Sequence, residues 1–130
     1  MTKVDHIPFP QYSANSVRVL WIGARQKLHN PTETLGELLD IQVSHVRAAS
    51  LSDVNASLIF EECPTLICSM LTWIGGDAFE AAQTLSDVGY RGSYFAFGPG
   101  LPQPLLVEKE IKSSAPGVDF TLLSLERRSA

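Results

Sequence analysis

The sequence predicts an α/β protein: a doubly wound, five-stranded parallel sheet in the order 2-1-3-4-5 with helices between the strands. Three observations predict it. Short β-branched or aromatic runs alternate along the chain with helix-length amphipathic segments. The strand starts recur about every 25 residues, which leaves room for the helical crossover that a parallel pair needs. Residues 65–71 (TLICSML) form a near-continuous apolar run, as expected of a central strand covered on both faces.

Residues 1–15, with Pro8, Pro10 and Ser13, read as a flexible arm, which leaves 16–130 as one domain. Residues 17–23 (VRVLWIG) are a strand stopped by glycine. Residues 30–40 (NPTETLGELLD) open the first helix, with Asn30 as cap, Pro31 at the first helical position and Glu33 where a capping-box acid belongs. Leu35, Leu38 and Leu39 make its apolar face. Residues 41–48 (IQVSHVRA) are half polar and suit an edge strand. Residues 51–62 (LSDVNASLIFEE) read as a second helix capped by Ser52, with Val54, Leu58 and Ile59 on one stripe. After the central strand, residues 75–89 (GGDAFEAAQTLSDVG) read as the third helix, with Phe79, Ala82 and Leu85 inward and Gly89 as terminator. Residues 93–98 (SYFAFG) are the fourth strand and end in the turn Gly98-Pro99-Gly100. Residues 104–117 form a fourth helix with Leu105, Leu106 and Ile111 available to the core. Residues 118–125 (VDFTLLSL) are the fifth strand, after which only ERRSA remains and a closing fifth helix is missing.

Composition narrows the function. The 130 residues are 45% hydrophobic and carry a net charge of -4, with the ten basic residues scattered except for Arg127-Arg128. Nucleic-acid binding by counterion release needs clustered Lys and Arg, so it is not expected. No run approaches the roughly 18 apolar residues of a membrane span, and residues 1–16 lack the apolar core of a signal peptide. A cytoplasmic protein is expected. Cys68 sits in an apolar run and reads as a core residue. Cys63 lies at odd spacing from it, which puts the two on opposite strand faces and disfavours a bridge.

Two stretches carry a family resemblance. Ile74-Gly75-Gly76-Asp77-Ala78-Phe79-Glu80 is similar to the P-G-M-D-G-F-E loop that opens the third helix of receiver domains in two-component response regulators. Gly89-Tyr90-Arg91-Gly92-Ser93 is similar to that family's G-Y-x-G-P link into strand four. Over residues 17 to 124 the chain therefore resembles a receiver domain of flavodoxin-like fold. Ungapped matching puts the family's acidic Mg²⁺-holding pair on Gly23 and Ala24, its phospho-accepting Asp on Met70, its strand-four hydroxyl on Gly98 and its strand-five Lys on Leu123. The aromatic switch position falls on Phe120.

Phosphoryl transfer to a carboxylate needs an ionised nucleophile and a hard cation held by oxygen ligands. A thioether at Met70 is neither, and Gly23 and Ala24 have no side-chain oxygen. The resemblance thus implies a pseudo-receiver: non-catalytic, without cofactor or metal, acting by binding a protein partner or by dimerising. Gly75 to Phe79 (GGDAF) is also similar to the GG(D/E)EF signature of diguanylate cyclases. There the motif sits on a hairpin turn; here it is expected to open a helix, with Ala78 in place of the acid and Asp77 as a helix N-terminal residue.

Trp73 falls in the loop after strand three, either as an exposed contact anchor or packed over the vacated acidic pocket. Without a fifth helix, the sheet near strands one and five is expected to lack cover, so that Val118, Phe120 and Leu122, together with Leu105 and Trp73, form the expected interface. The alternative is a small-ligand sensor at a rim of Gly23, Thr32, Met70 and Gly98, made less polar by the same losses. His6, His29 and His45 have no metal-ligand spacing.

Overall fold

The apolar run at residues 65–71 does lie at the centre of the sheet. The computed structural model describes residues 17–23 and 30–125, so the expected N-terminal arm, Ala24 and the last five residues lie outside it. Eleven strands and helices follow in order: β1 (Val17–Ile22), α1 (Pro31–Leu39), β2 (Val43–Ala49), α2 (Ala56–Glu62), β3 (Leu66–Met70), β4 (Thr72–Trp73), β5 (Gly76–Asp77), α3 (Ala78–Asp87), β6 (Ser93–Gly98), α4 (Pro104–Ser114) and β7 (Asp119–Ser124). The main sheet is parallel throughout, in the order β2-β1-β3-β6-β7. Counting only those five strands, this is the predicted 2-1-3-4-5, and the chain has a flavodoxin-like α/β fold.

Alternation along the strands sends side chains to two cores. Leu20 and Ile22 of β1, Ile67 of β3, Tyr94 and Ala96 of β6 and Phe120 of β7 pack with Leu58 of α2, the alanines and Leu85 of α3, and Ile111 of α4. Val17, Val19 and Trp21, Leu66 and Cys68, and Phe95 and Phe97 face the other way, with Leu35 and Leu39 of α1. The sheet is thus sandwiched, and the burial of Cys68 as a core residue follows from its parity on β3. Buried hydroxyls are satisfied in series. Ser69 Oγ donates to the Met70 carbonyl at 2.7 Å, which leaves it to accept from the Tyr94 hydroxyl at 2.6 Å.

Several local expectations change. The uncovered-face argument fails on parity: Val118 and Phe120 are buried and Leu122 half-buried on the α4 side, where Ile111 and Ala115 cover them. Shifting by one residue moves a strand's side chains to the opposite face, and it is Leu123 that packs on the α1 side. On the helices, Leu38 is exposed while Leu35 and Leu39 are fully buried. Phe79 is 40% exposed, and the inward face of α3 is instead Ala78, Ala81, Ala82 and Leu85. Leu105 and Leu106 are 77% and 51% exposed, leaving Ile111 as the buried apolar residue of α4.

Caps account for the rest. Residues 51–53 form a single 3₁₀ turn, and α2 starts later, at Asn55, whose side chain accepts the Leu58 N–H at 2.8 Å. Ser52 caps nothing there; its hydroxyl meets that of Ser50. Asn30 precedes α1 in a left-handed conformation and makes no side-chain cap. Gly89 terminates α3 as expected, at φ 89°, with its N–H on Ser86 O and the Tyr90 N–H on Leu85 O. Cys63 is not part of β3. It closes α2 in a left-handed conformation, and both cysteines are free.

Among the described residues no helix is long and apolar enough to cross a membrane.

Burial raises the pKa of the Cys68 thiol and of the Tyr94 phenol, the latter opposed by its hydrogen bond to Ser69. A raised native pKa means that the native state holds its proton where the unfolded chain releases it. The stability from these groups is complete below the ordinary values of about 8.5 for Cys and 10 for Tyr, and is lost as pH climbs above them. Urea midpoints should therefore fall steadily between about pH 8 and pH 10.5. A flat profile would contradict the burial of both groups.

Candidate functional site

Receiver-type chemistry would have to occur at the carboxyl ends of the strands, and the structure brings four of the five matched positions there. Ile22 pairs with Ser69, Met70 with Phe97, and Phe97 with Leu123. Gly23, Met70, Gly98 and Leu123 consequently line up at the ends of the neighbouring strands β1, β3, β6 and β7. None of the four carries a carboxylate or any other charged group. Ala24, the fifth, lies outside the described residues.

What fills the rim comes from the segment after β3. The chain does not run straight from β3 into α3 but folds into a two-residue hairpin, with Thr72 opposite Asp77 and Trp73 opposite Gly76. The GGDAF stretch therefore does lie on a hairpin, contrary to the expectation, and also opens a helix. Asp77 is committed to that helix: its Oδ1 accepts the Glu80 N–H at 2.9 Å. Leu71 anchors the hairpin from both sides, donating its N–H to Phe97 O at 2.6 Å and accepting the Ala78 N–H at 2.8 Å.

The hairpin lays the half-buried indole of Trp73 across the end of β1. A Cβ placed on Gly23 would stand 3.4 Å from Trp73 Cγ, and one on Gly76 would stand 2.8 Å from Trp73 Cζ2. Gly23 also holds φ 129°, a conformation that side chains with a Cβ rarely adopt. Next to this, Leu71 covers Gly98: a Cβ there would lie 3.0 Å from Leu71 Cβ. Two apolar side chains thus cover Gly23 and Gly98, the positions matched to one acid and to the hydroxyl of a receiver. Of the two expectations for Trp73, packing holds and the exposed anchor does not.

Phe120, at the matched switch position, is fully buried and packs its ring against Tyr94 at 5.2 Å between centroids. Thr32 does not join the rim positions in any described cavity. It lines a groove of about 520 Å³ on α1 with Glu33, Gly36, Glu37, Asp40 and Ile41. The four residues of the expected ligand rim are thus divided between the strand ends and this groove.

Sequence reasoning missed a second cavity, of about 190 Å³, between the hairpin and α4. Leu71, Phe79, Val107 and Ile111 form its apolar walls, and Thr72, Asp77 and Glu110 complete it. The signal that could have found it was Phe79 together with the Leu105-Leu106 pair, both assigned to the core on helical period alone. Large exposed apolar side chains surround it in sequence: Ile74, 90% exposed at the hairpin turn, and Leu105 and Leu106 on the first turn of α4. Elsewhere, Glu62 at the end of α2 gathers Arg47 at 2.6 Å and Arg18 and His45 at 3.7 Å each. Those three partners are well exposed, so the cluster adds little to stability. Among the described residues no three His, Cys, Asp or Glu side chains are grouped to hold a metal ion.

No protein-family model and no curated protein matches this chain. The functional reading therefore rests on the residues themselves.

Placing an acid at the strand end tests the packing directly. Gly23→Asp should destabilise by more than Gly75→Asp, although both glycines have positive φ, because nothing lies within 4 Å of a Cβ at Gly75. Backbone strain alone accounts for about 1–3 kcal/mol in each. Adding Trp73→Ala should recover part of the excess at Gly23 and none at Gly75, measured by urea unfolding. Equal losses at the two glycines would mean that the indole does not lie on Gly23.

Proposed function

We propose that this protein is a receiver-like module that works without aspartyl phosphorylation, and that it acts non-catalytically by binding a protein partner or a second copy of itself within a bacterial-type, cytoplasmic signalling system. One observation carries this reading: the strand-end positions that phosphoryl chemistry requires are occupied or covered by glycine, methionine, leucine and tryptophan, while large apolar side chains remain exposed on α4 and the hairpin beside it. A carboxylate acceptor and an oxygen-ligated cation have no counterpart among the described rim residues. Binding needs neither.

The face that supports contact is the one built on α4 and the adjoining hairpin. Single exposed apolar residues are ordinary on protein surfaces. Phe79 lines the cavity between the hairpin and α4, and Ile74, Leu105 and Leu106 are exposed on the hairpin and helix that border it; large apolar side chains exposed on neighbouring elements favour a contact surface. The interface expected from sequence is revised accordingly: Leu105 stays, while Val118, Phe120 and Trp73 belong to the packing inside the chain. The small-ligand alternative loses support because Leu71 and Trp73 fill the rim it needs.

Light scattering over a concentration series tests the self-associating form. Its expected result is a mass above the 14.2 kDa of one chain that returns to the monomer value in Leu105→Glu and Leu106→Glu, with circular dichroism unchanged. A monomer at every concentration leaves only a different protein as partner. Association that both substitutions leave intact would contradict the choice of face.

A further inference from the structure

We infer that the cavity between the hairpin and α4 receives an arginine side chain from an apolar-flanked, basic segment of a partner protein. The inference rests on the interaction reading above and specifies the chemistry of its partner. The cavity is apolar where Leu71, Phe79, Val107 and Ile111 line it, and its ionisable groups, Asp77 and Glu110, are both acidic. Neither carboxylate makes an ion pair within the described structure. Asp77 uses one oxygen to cap α3, which leaves the other available to accept.

That combination selects the occupant. A purely apolar anchor would desolvate the half-buried Asp77 without compensation, and an acidic one would be repelled by Asp77 and by the exposed Glu110. A long basic side chain buries its methylene stem on apolar walls while its head group stays at the polar edge. Between the two basic residues, the planar guanidinium with five donors serves two separated carboxylates better than a compact ammonium. Flanking apolar residues of the same segment would meet Phe79, which lines the cavity and is 40% exposed. The chain's charge of -4 favours the same sign of partner in long-range encounter.

The test uses three labelled synthetic helical peptides with the same leucine face and either Arg, citrulline or Glu on the other. Binding is followed by fluorescence anisotropy and backbone amide NMR. The Arg peptide should bind saturably, with shifts centred on Phe79, Val107 and Glu110, and the citrulline and Glu peptides should bind at least about tenfold more weakly. Asp77→Asn retains a capping side chain and Glu110→Gln retains shape; each should weaken the Arg peptide by about fivefold or more, whereas Glu37→Gln on α1 should not.

Equal binding of all three peptides, indifference to Asp77→Asn and Glu110→Gln, or shifts centred on α1 would overturn the inference. Binding that depends on Leu105 and Leu106 but not on the carboxylates would overturn it while sparing the interaction reading. If no peptide binds, the inference fails, and the reading is then decided by the light-scattering experiment alone. Affinity that rises when Arg127 and Arg128 are replaced by Gln would place the chain's own tail in the cavity and exclude a partner as its resident.

Discussion

The indole of Trp73 lies between two backbone positions that carry no Cβ, Gly23 at the end of β1 and Gly76 in the hairpin. Much of the rim depends on this contact. A side chain at Gly76 would push the ring off, and one at Gly23 would meet both the ring and an unfavourable backbone angle. The ring in turn occupies the space over β1 where acidic side chains would need water and a cation. Leu71 does the same for Gly98, held by backbone hydrogen bonds to β6 and to the start of α3. The hairpin is thus part of the sheet's carboxyl edge and closes it with apolar atoms.

The fold was legible because it follows from coarse periodicity. Run lengths, glycine stops and crossover spacing were sufficient for strand number, parallel pairing and order. Faces were harder to read. Val118, Phe120 and Leu122 do share one side of the strand, but which side meets α4 depends on register with β6, and register is a tertiary property. Phe79 was placed inward on helical period, yet α3 packs with small residues, Ala78, Ala81 and Ala82, which let the helix approach the sheet and leave the larger ring outside.

The hairpin was the feature least visible in sequence. Two-residue strands have no periodicity to detect, and Gly75-Gly76 reads equally as a loop before a helix. Its consequence could be partly foreseen, because a tryptophan near small residues such as Gly23 has apolar space to fill. The small cavity beside α4 left only an indirect signal in Phe79 and the Leu105-Leu106 pair, since its walls come together only where the hairpin, α3 and α4 meet. The matched positions fall at the ends of neighbouring strands, where Trp73 and Leu71 cover Gly23 and Gly98.

A surface that lacks a chemical switch can still discriminate partners by shape and charge. Trp73 and Leu71 cover Gly23 and Gly98 at the strand ends, and Phe120 is fully buried against Tyr94. The proposed function accordingly rests on surfaces fixed by the fold rather than on a toggled state. The most direct test of its central claim is the NMR environment of Trp73. The account predicts nuclear Overhauser contacts from the indole ring protons to the α-protons of both Gly23 and Gly76, with ring-current shifts at those glycines that Mg²⁺ and beryllofluoride leave unchanged. An indole with no contact to Gly23, or contacts that disappear on adding Mg²⁺ and beryllofluoride, would show an open rim and contradict the account.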